Sequence, residues 1–114
     1  FMDRFIPFYD DLESRSELKG ALRFKPAGAI AVGGGRNDGI EAVLYTFYRF
    51  FLYNDMVIVG TAGYPSSASN LGGTIFSDSK PDALARDAYG RNTLRALGNK
   101  VSLIAERLAE SGKK

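Results

Sequence analysis

The sequence contains no cysteine and no histidine. The first absence excludes, within these residues, disulfides, thiolate metal sites and a cysteine nucleophile; the second removes the base of a serine hydrolase triad and the imidazole ligands of metal sites. No catalytic residue and no metal ligand is assigned from what remains. Basic clusters are also missing. The chain carries 15 Lys and Arg against 13 Asp and Glu, for a formal net charge of +2, but the two signs are interleaved and only Lys113-Lys114 forms a basic run. Nothing resembles the cationic stripe that tracks a phosphate backbone, so nucleic acid is not an expected partner. The apolar runs are far shorter than a bilayer span and no basic-then-apolar leader opens the chain, so no membrane association is expected and the reading is of a cytoplasmic protein. Internal repeats and low-complexity tracts are absent as well.

What is present suits one small domain: 114 residues, 45% hydrophobic and 25% charged, near the lower size at which a single core is comfortable. The chain opens "FMDRFIPFYDD", with Phe1, Met2, Phe5 and Ile6 in a helical rhythm and no initiating methionine, and so reads as the back part of something longer. Asp10 to Lys19 is charged and loop-like, and Gly20 and Pro26 punctuate the approach to the next element. "AGAIAVG", Ala27 to Gly33, is a short apolar run without period-two alternation, which predicts a strand buried on both faces. Ile40 to Tyr53 predicts a helix and "MVIVG", Met56 to Gly60, a second buried strand. Thr61 to Lys80, rich in Gly, Ser and Asn, reads as one long connection that carries function or disorder. From Pro81 onward the chain is helical again, with Leu94, Leu97, Val101, Ile104, Ala105 and Leu108 at three- and four-residue steps and a stop at Gly112. Helix, strand, helix, strand, helix is the grammar of a parallel α/β sheet.

The turn "GGGRNDG", Gly33 to Gly39, lies at the carboxyl end of the first strand and the amino end of the helix, where open α/β sheets bind ligands. Gly33, Gly34 and Gly35 remove side chains where a flat ligand can approach, and the helix start offers free N–H groups and a positive dipole end. "DGIE" fits a capping box with Asp38 as N-cap and Glu41 three residues later, a pair that either serves a ligand or does no more than start the helix. No Gly-Lys-Ser/Thr follows, and the glycine spacing of the dinucleotide fingerprint is absent. The helix itself carries Tyr45, Phe47, Tyr48, Phe50, Phe51 and Tyr53, with only Glu41 and Arg49 charged. One face is expected on the sheet. The other, with Tyr48 or Phe51 as its rings, is expected against a partner or under another part of the same chain.

"GAIAVGGGRNDGIEAVLYTF" followed by "NDMVIVG" resembles the fourth strand, flavin loop, fourth helix and fifth strand of the flavodoxin-like FMN proteins, in the branch that holds NADPH-dependent FMN reductases, WrbA-type quinone oxidoreductases and iron–sulfur flavoproteins. The family's loop is close to Gly-Gly-Gly-Arg-Asn-Gly-Gly-Gln-Glu; this chain keeps Gly33 to Asn37, Gly39 and Glu41, with Asp38 and Ile40 in place of a glycine and the glutamine. "FMDRF", "ELKGALRFKPAGAI" and "DAYGRNTLRALGNKVSLIAERL" resemble, in register, the start of the third helix, its exit and the closing helix.

The resemblance implies a flavodoxin-like three-layer sandwich with a parallel sheet. Residues 1–114 would be the C-terminal part of that single domain, its N-terminal strands and phosphate loop preceding Phe1. It implies an FMN-dependent oxidoreductase passing electrons from NAD(P)H to a quinone, flavin or protein acceptor. The cofactor-binding residues it implies are Gly33, Gly34, Gly35, Arg36, Asn37, Asp38, Gly39, Glu41 and, from the long connection, Tyr64. Arg36 would be the cation near the pyrimidine edge, Tyr64 would lie on or near the ring, and Gly72-Gly73 would allow close backbone approach. An iron–sulfur cluster would come only from upstream residues. A homo-oligomer, dimer or tetramer, would form through helix 40–53. The alternative is a non-catalytic α/β assembly module that has lost flavin binding.

Overall fold

The extended segment that runs into the glycine turn organises the fold. The computed structural model describes residues 22–35, 39–61 and 71–112; the expected opening helix, Arg36, Asn37, Asp38 and Tyr64 lie outside them. The elements are β1 (Pro26–Ala27), β2 (Ile30–Gly33), α1 (Ile40–Tyr53), β3 (Val57–Ile58), β4 (Gly73–Phe76), α2 (Ala83–Arg86) and α3 (Ala88–Ser111). β1 pairs in parallel with β3, Pro26 opposite Val57 and Ala27 opposite Ile58. β2 pairs in parallel with β4, from Ile30 opposite Gly73 to Gly33 opposite Phe76.

These two pairings are one ladder. Val57 N donates to Lys25 O (3.0 Å), Val59 N to Ala27 O (2.9 Å), Gly73 N to Ala29 O (2.9 Å) and Ser77 N to Gly33 O (2.8 Å). Every acceptor is odd-numbered, and successive peptide groups of a strand point to opposite sides, so β3 and β4 lie on the same side of the segment, end to end. Gly73 takes the position that Thr61 would hold in an uninterrupted strand. The ladder thus resumes at Gly73 without a slip of register. The expectation of one long connection over Thr61 to Lys80 is corrected here: "GTIF" is a buried strand, and its shortness hid it.

Side chains alternate across the segment, which assigns its two faces. Ala29 and Ala31 are buried under α1, whose Ile40, Leu44, Tyr48 and Phe51 complete that core cluster. The opposite face meets α3. A Cβ at Gly28 would stand 2.6 Å from Leu97 Cδ1, and one at Gly73 2.7 Å from Leu94 Cδ2, so both glycines make room for the helix. Helix, parallel sheet and helix form the three expected layers. Burial on both faces holds only in part, since Ile30 (54% exposed) and Val32 (63%) remain open. The physical reason is placement: α3 packs over Gly28, Gly73 and Ile75, displaced toward β4.

The outer edge of β4 is closed by side chains of α3. Thr93, with no exposed surface, accepts from Thr74 N (2.9 Å), and its hydroxyl lies 2.7 Å from Gly90 O. Asp87 Oδ2 accepts from Phe76 N (2.8 Å). Edge amides left free would invite pairing with another chain. Asp87 is also the N-cap of α3, its Oδ1 accepting from Gly90 N (2.9 Å). It breaks the single helix expected from Pro81 onward into the short α2 and the long α3. Among the described residues no helix is long and apolar enough to cross a membrane.

Candidate functional site

β2 delivers the chain to the turn at Gly33 and α1 receives it at Ile40. The glycines between them differ in their surroundings. A Cβ at Gly33 would stand 2.7 Å from Ile40 Cγ1 and 2.9 Å from Ile40 Cδ1, so this glycine is required by the packing of strand against helix. At Gly34 a Cβ would meet nothing within 4 Å, and the backbone faces open space. Gly39 is left-handed, with φ +74°, a conformation that glycine adopts without steric cost.

Gly39 is also the N-cap of α1, and its carbonyl accepts from Val43 N at 3.2 Å. This corrects the capping box expected from "DGIE". The helix starts one residue later than Asp38 as N-cap requires, Glu41 falls second in the helix and not third, and among the described residues no side chain caps the end. Glu41 is exposed and still complements the positive end of the helix dipole. The first amides of a helix have no acceptor inside it. Those of α1, with Gly39 turned left-handed before them, begin at Ile40, whose side chain packs on Gly33 at the other end of the turn. That arrangement can hold the polar edge of a flat, electron-rich ligand through main-chain donors.

Ser77 N, bonded to Gly33 O, brings the loop after β4 to the same end of the sheet. Arg86, at the end of α2, makes a two-pronged contact with Asp78 of that loop, at 2.9 and 2.7 Å, while its Nε lies 3.0 Å from Asp82 Oδ1. The hydrogen bond from Arg86 holds the Asp78 carboxyl below its ordinary value, and the same bond, with a second to Asp82, raises Arg86. A cavity of about 190 Å³ is lined by Phe76, Asp78, Ala83, Arg86 and Asp87. Ligand pockets run to about 300–1,000 Å³, so this one admits only a fragment, and its charges already satisfy one another. Sequence reading passed over the cluster, although Asp82 and Arg86 stand at helical i,i+4 spacing.

The long connection and the aromatic helix meet away from the turn. The Tyr48 hydroxyl donates to Leu71 O, at the point where the chain returns to the sheet. Tyr48 and Phe51 are each 8% exposed, which corrects their expected place on a partner-facing surface: both belong to the inward arc with Ile40 and Leu44. Burial pushes the Tyr48 phenol upward. The rings and aliphatic groups left open on α1 are Val43, Tyr45, Leu52 and, at 79%, Tyr53. Gly72 and Gly73 do not open toward a ligand. A Cβ at Gly72 would fall on Ala29 O, and one at Gly73 on Leu94 and Ile30, so both serve the close approach of strands and helix. Among the described residues no group of three or more His, Cys, Asp or Glu is placed to hold a metal ion.

No family model matches the chain, and no solved structure matches it. Two curated proteins of Methanocaldococcus jannaschii do, both iron–sulfur flavoproteins. One is 35% identical over 85 residues, covering 75% of this chain and 42% of the relative. The other is 39% identical over 80 residues, covering 69% and 39%. The chain thus spans about two fifths of the length of the curated relatives it matches. Parallel strands layered between helices, a glycine turn from strand into helix, and this similarity support the resemblance to the flavodoxin-like FMN proteins and identify the chain as similar to their iron–sulfur flavoproteins.

Proposed function

We propose that the chain is part of an FMN-dependent oxidoreductase that takes electrons from NAD(P)H and passes them to a quinone, a flavin or a protein acceptor, and that the flavin lies against the turn at residues 33–39. The observation that carries this reading is the open backbone at Gly34, at the carboxyl end of a parallel strand and in the turn that leads to the amino end of α1, whose first amides have no acceptor within the helix. Bound flavin supplies hydride and electron transfer; the protein's part is to position and tune it. Gly34 and Gly35 admit the ring edge, and the left-handed Gly39 directs the chain into α1 so that its first amides flank the turn. Arg36, Asn37, Asp38 and Tyr64 enter by their place in the sequence, Arg36 as the cation beside the pyrimidine edge and Tyr64 as a ring contact. The residues present do not fit an iron–sulfur cluster held by thiolates, because none of the 114 is cysteine. Any cluster rests on residues outside this chain.

The protein is further proposed to be cytoplasmic and to form a dimer or tetramer through the open side of α1, where Tyr45, Leu52 and Tyr53 are exposed. The same surface supports a second reading, a non-catalytic assembly module. Bound oxidised flavin is yellow, so a visible spectrum separates the two. Titration with FMN then tests the site: Gly35→Val is expected to weaken binding by steric exclusion, and an unchanged affinity would remove the turn from the site.

A further inference from the structure

We propose that Asp87 is a positioning residue for the glycine turn, acting through the end of β4, an inference that rests on the flavin reading for its functional consequence. Asp87 is 6% exposed and both its carboxylate oxygens are engaged, Oδ1 by Gly90 N (2.9 Å) and Oδ2 by Phe76 N (2.8 Å). The next amide along β4, that of Ser77, points to the other side of the strand and donates to Gly33 O (2.8 Å). Asp87 therefore grips the peptide immediately before the one that grips the first residue of the turn. Gly33 has no freedom to retreat, because Ile40, 2% exposed, stands 2.7 Å from where its Cβ would be. Between these two constraints the direction in which the chain leaves Gly33 for Gly34 and Gly35 is set by α3, through one carboxylate.

The chemistry at position 87 is demanding. Serine caps a helix well but is too short to reach Phe76 N while bonded to Gly90 N. Asparagine has one acceptor oxygen for two amides. Gly90 belongs to the same device, since a Cβ there would fall on Asp87 Oδ2. Thr93 supplies the natural contrast. It closes the same edge at Thr74, two residues further from the turn, and its hydroxyl bonds Thr74 and the Gly90 carbonyl, not Phe76 N or Ser77 N.

The test compares Asp87→Ser with Thr93→Val in the protein loaded with FMN. Three readouts are taken: the FMN dissociation constant by fluorescence titration, the position of the flavin absorption band, and amide hydrogen exchange at Gly34 and Gly35. A buried hydrogen bond to a charged group contributes enough that its loss from the site raises the dissociation constant ~10-fold. Asp87→Ser is expected to show that rise, a displaced absorption band and faster exchange at both glycines. Thr93→Val is expected to lower the thermal midpoint and leave the three readouts at wild-type values. Wild-type readouts in Asp87→Ser, or equal changes in both variants, would overturn the proposal. Should the unsubstituted protein bind no FMN, the flavin reading fails by itself, and exchange at Gly34 and Gly35 still decides whether Asp87 positions the turn.

Discussion

Replacing Gly33 and Gly34, one at a time, by alanine separates the part of the turn that packs from the part that faces a ligand. At Gly33 the new methyl group would stand 2.7 and 2.9 Å from Ile40 Cγ1 and Cδ1, against an optimum of about 3.5–4.0 Å for carbon atoms. Ile40 is 2% exposed and enclosed by Ala29, Ala31 and Leu44, so it cannot move aside without disturbing that cluster. Overpacking of this kind costs about 1–3 kcal/mol. For a domain of this size or larger each kcal/mol moves the thermal midpoint by roughly 2–8 °C, so Gly33→Ala is expected to melt at least about 2 °C lower. At Gly34 the methyl group meets nothing within 4 Å and the backbone is not left-handed. Alanine there restricts the unfolded chain and leaves stability unchanged or raised by up to about 1 kcal/mol. FMN affinity should separate the two variants the other way, since Gly34→Ala fills space assigned to the ring edge while the fold stays intact. Circular dichroism melts without FMN, followed by FMN titration of each variant, measure both effects. An unchanged midpoint for Gly33→Ala would refute the packing argument, and unchanged FMN affinity for Gly34→Ala would refute the assignment of that open face to flavin.

Tyr48→Phe removes only the hydroxyl that bonds Leu71 O, and is expected to lower stability by about 0.5–1.5 kcal/mol in urea denaturation; an unchanged midpoint would show that this bond contributes nothing. The Asp78–Arg86 pair gives a pH signature whose sign follows from the depressed carboxyl of Asp78. Its stabilisation is complete above the ordinary Asp value of about 3.9 and is lost as pH falls through the depressed one, so Arg86→Ala should melt below wild type at pH 7 and converge with it in acid; a constant gap would count against the pair. Leu52→Glu, on the exposed side of α1, should dissociate an oligomer held through that helix, and a wild-type protein that sediments as a monomer at micromolar concentration would remove the interface.

The need for backbone freedom between strand and helix was legible in the three consecutive glycines, but their division of labour was not. Gly33 is a packing glycine because Ile40, seven residues later, folds back onto it, and a linear sequence does not display that meeting. "DGIE" has the letters of a capping box. A left-handed Gly39 takes the cap position instead and shifts the helix start by one residue, a choice made by tertiary path and not by local propensity. The aromatic helix misled in a similar way. Its six rings suggested an apolar surface in every direction, whereas steps of four, four and three through Ile40, Leu44, Tyr48 and Phe51 define one buried arc. Asp87 could have been found: an aspartate between two helical runs, with glycine three residues on, is an N-cap signal. What no local pattern carries is its second bond, to a strand amide eleven residues earlier.

Most of the fold was readable because its strands are short apolar runs bounded by turn residues, while the closing helix repeats its apolar residues at three- and four-residue steps. β4 was the exception, and the ladder explains why. A search for strands weighs apolar runs by length, and the partner of the central segment is divided into two pieces, Val57–Ile58 and Gly73–Phe76, each too short to stand out. The sheet treats them as one. Val59 bonds Ala27 and Gly73 bonds Ala29, consecutive acceptors on one side of the segment. The entropic cost of closing such an excursion grows only with the logarithm of its length, which lets a strand tolerate interruption provided both ends are held. Here the ends are held by different means. Val59 is buried at the departure, and at the return Tyr48 reaches from α1 to Leu71 while Gly72 comes against the Ala29 carbonyl with no side chain to block it. Register is thus restored by a tyrosine and a glycine that look, in the sequence, like a surface ring and a flexible loop.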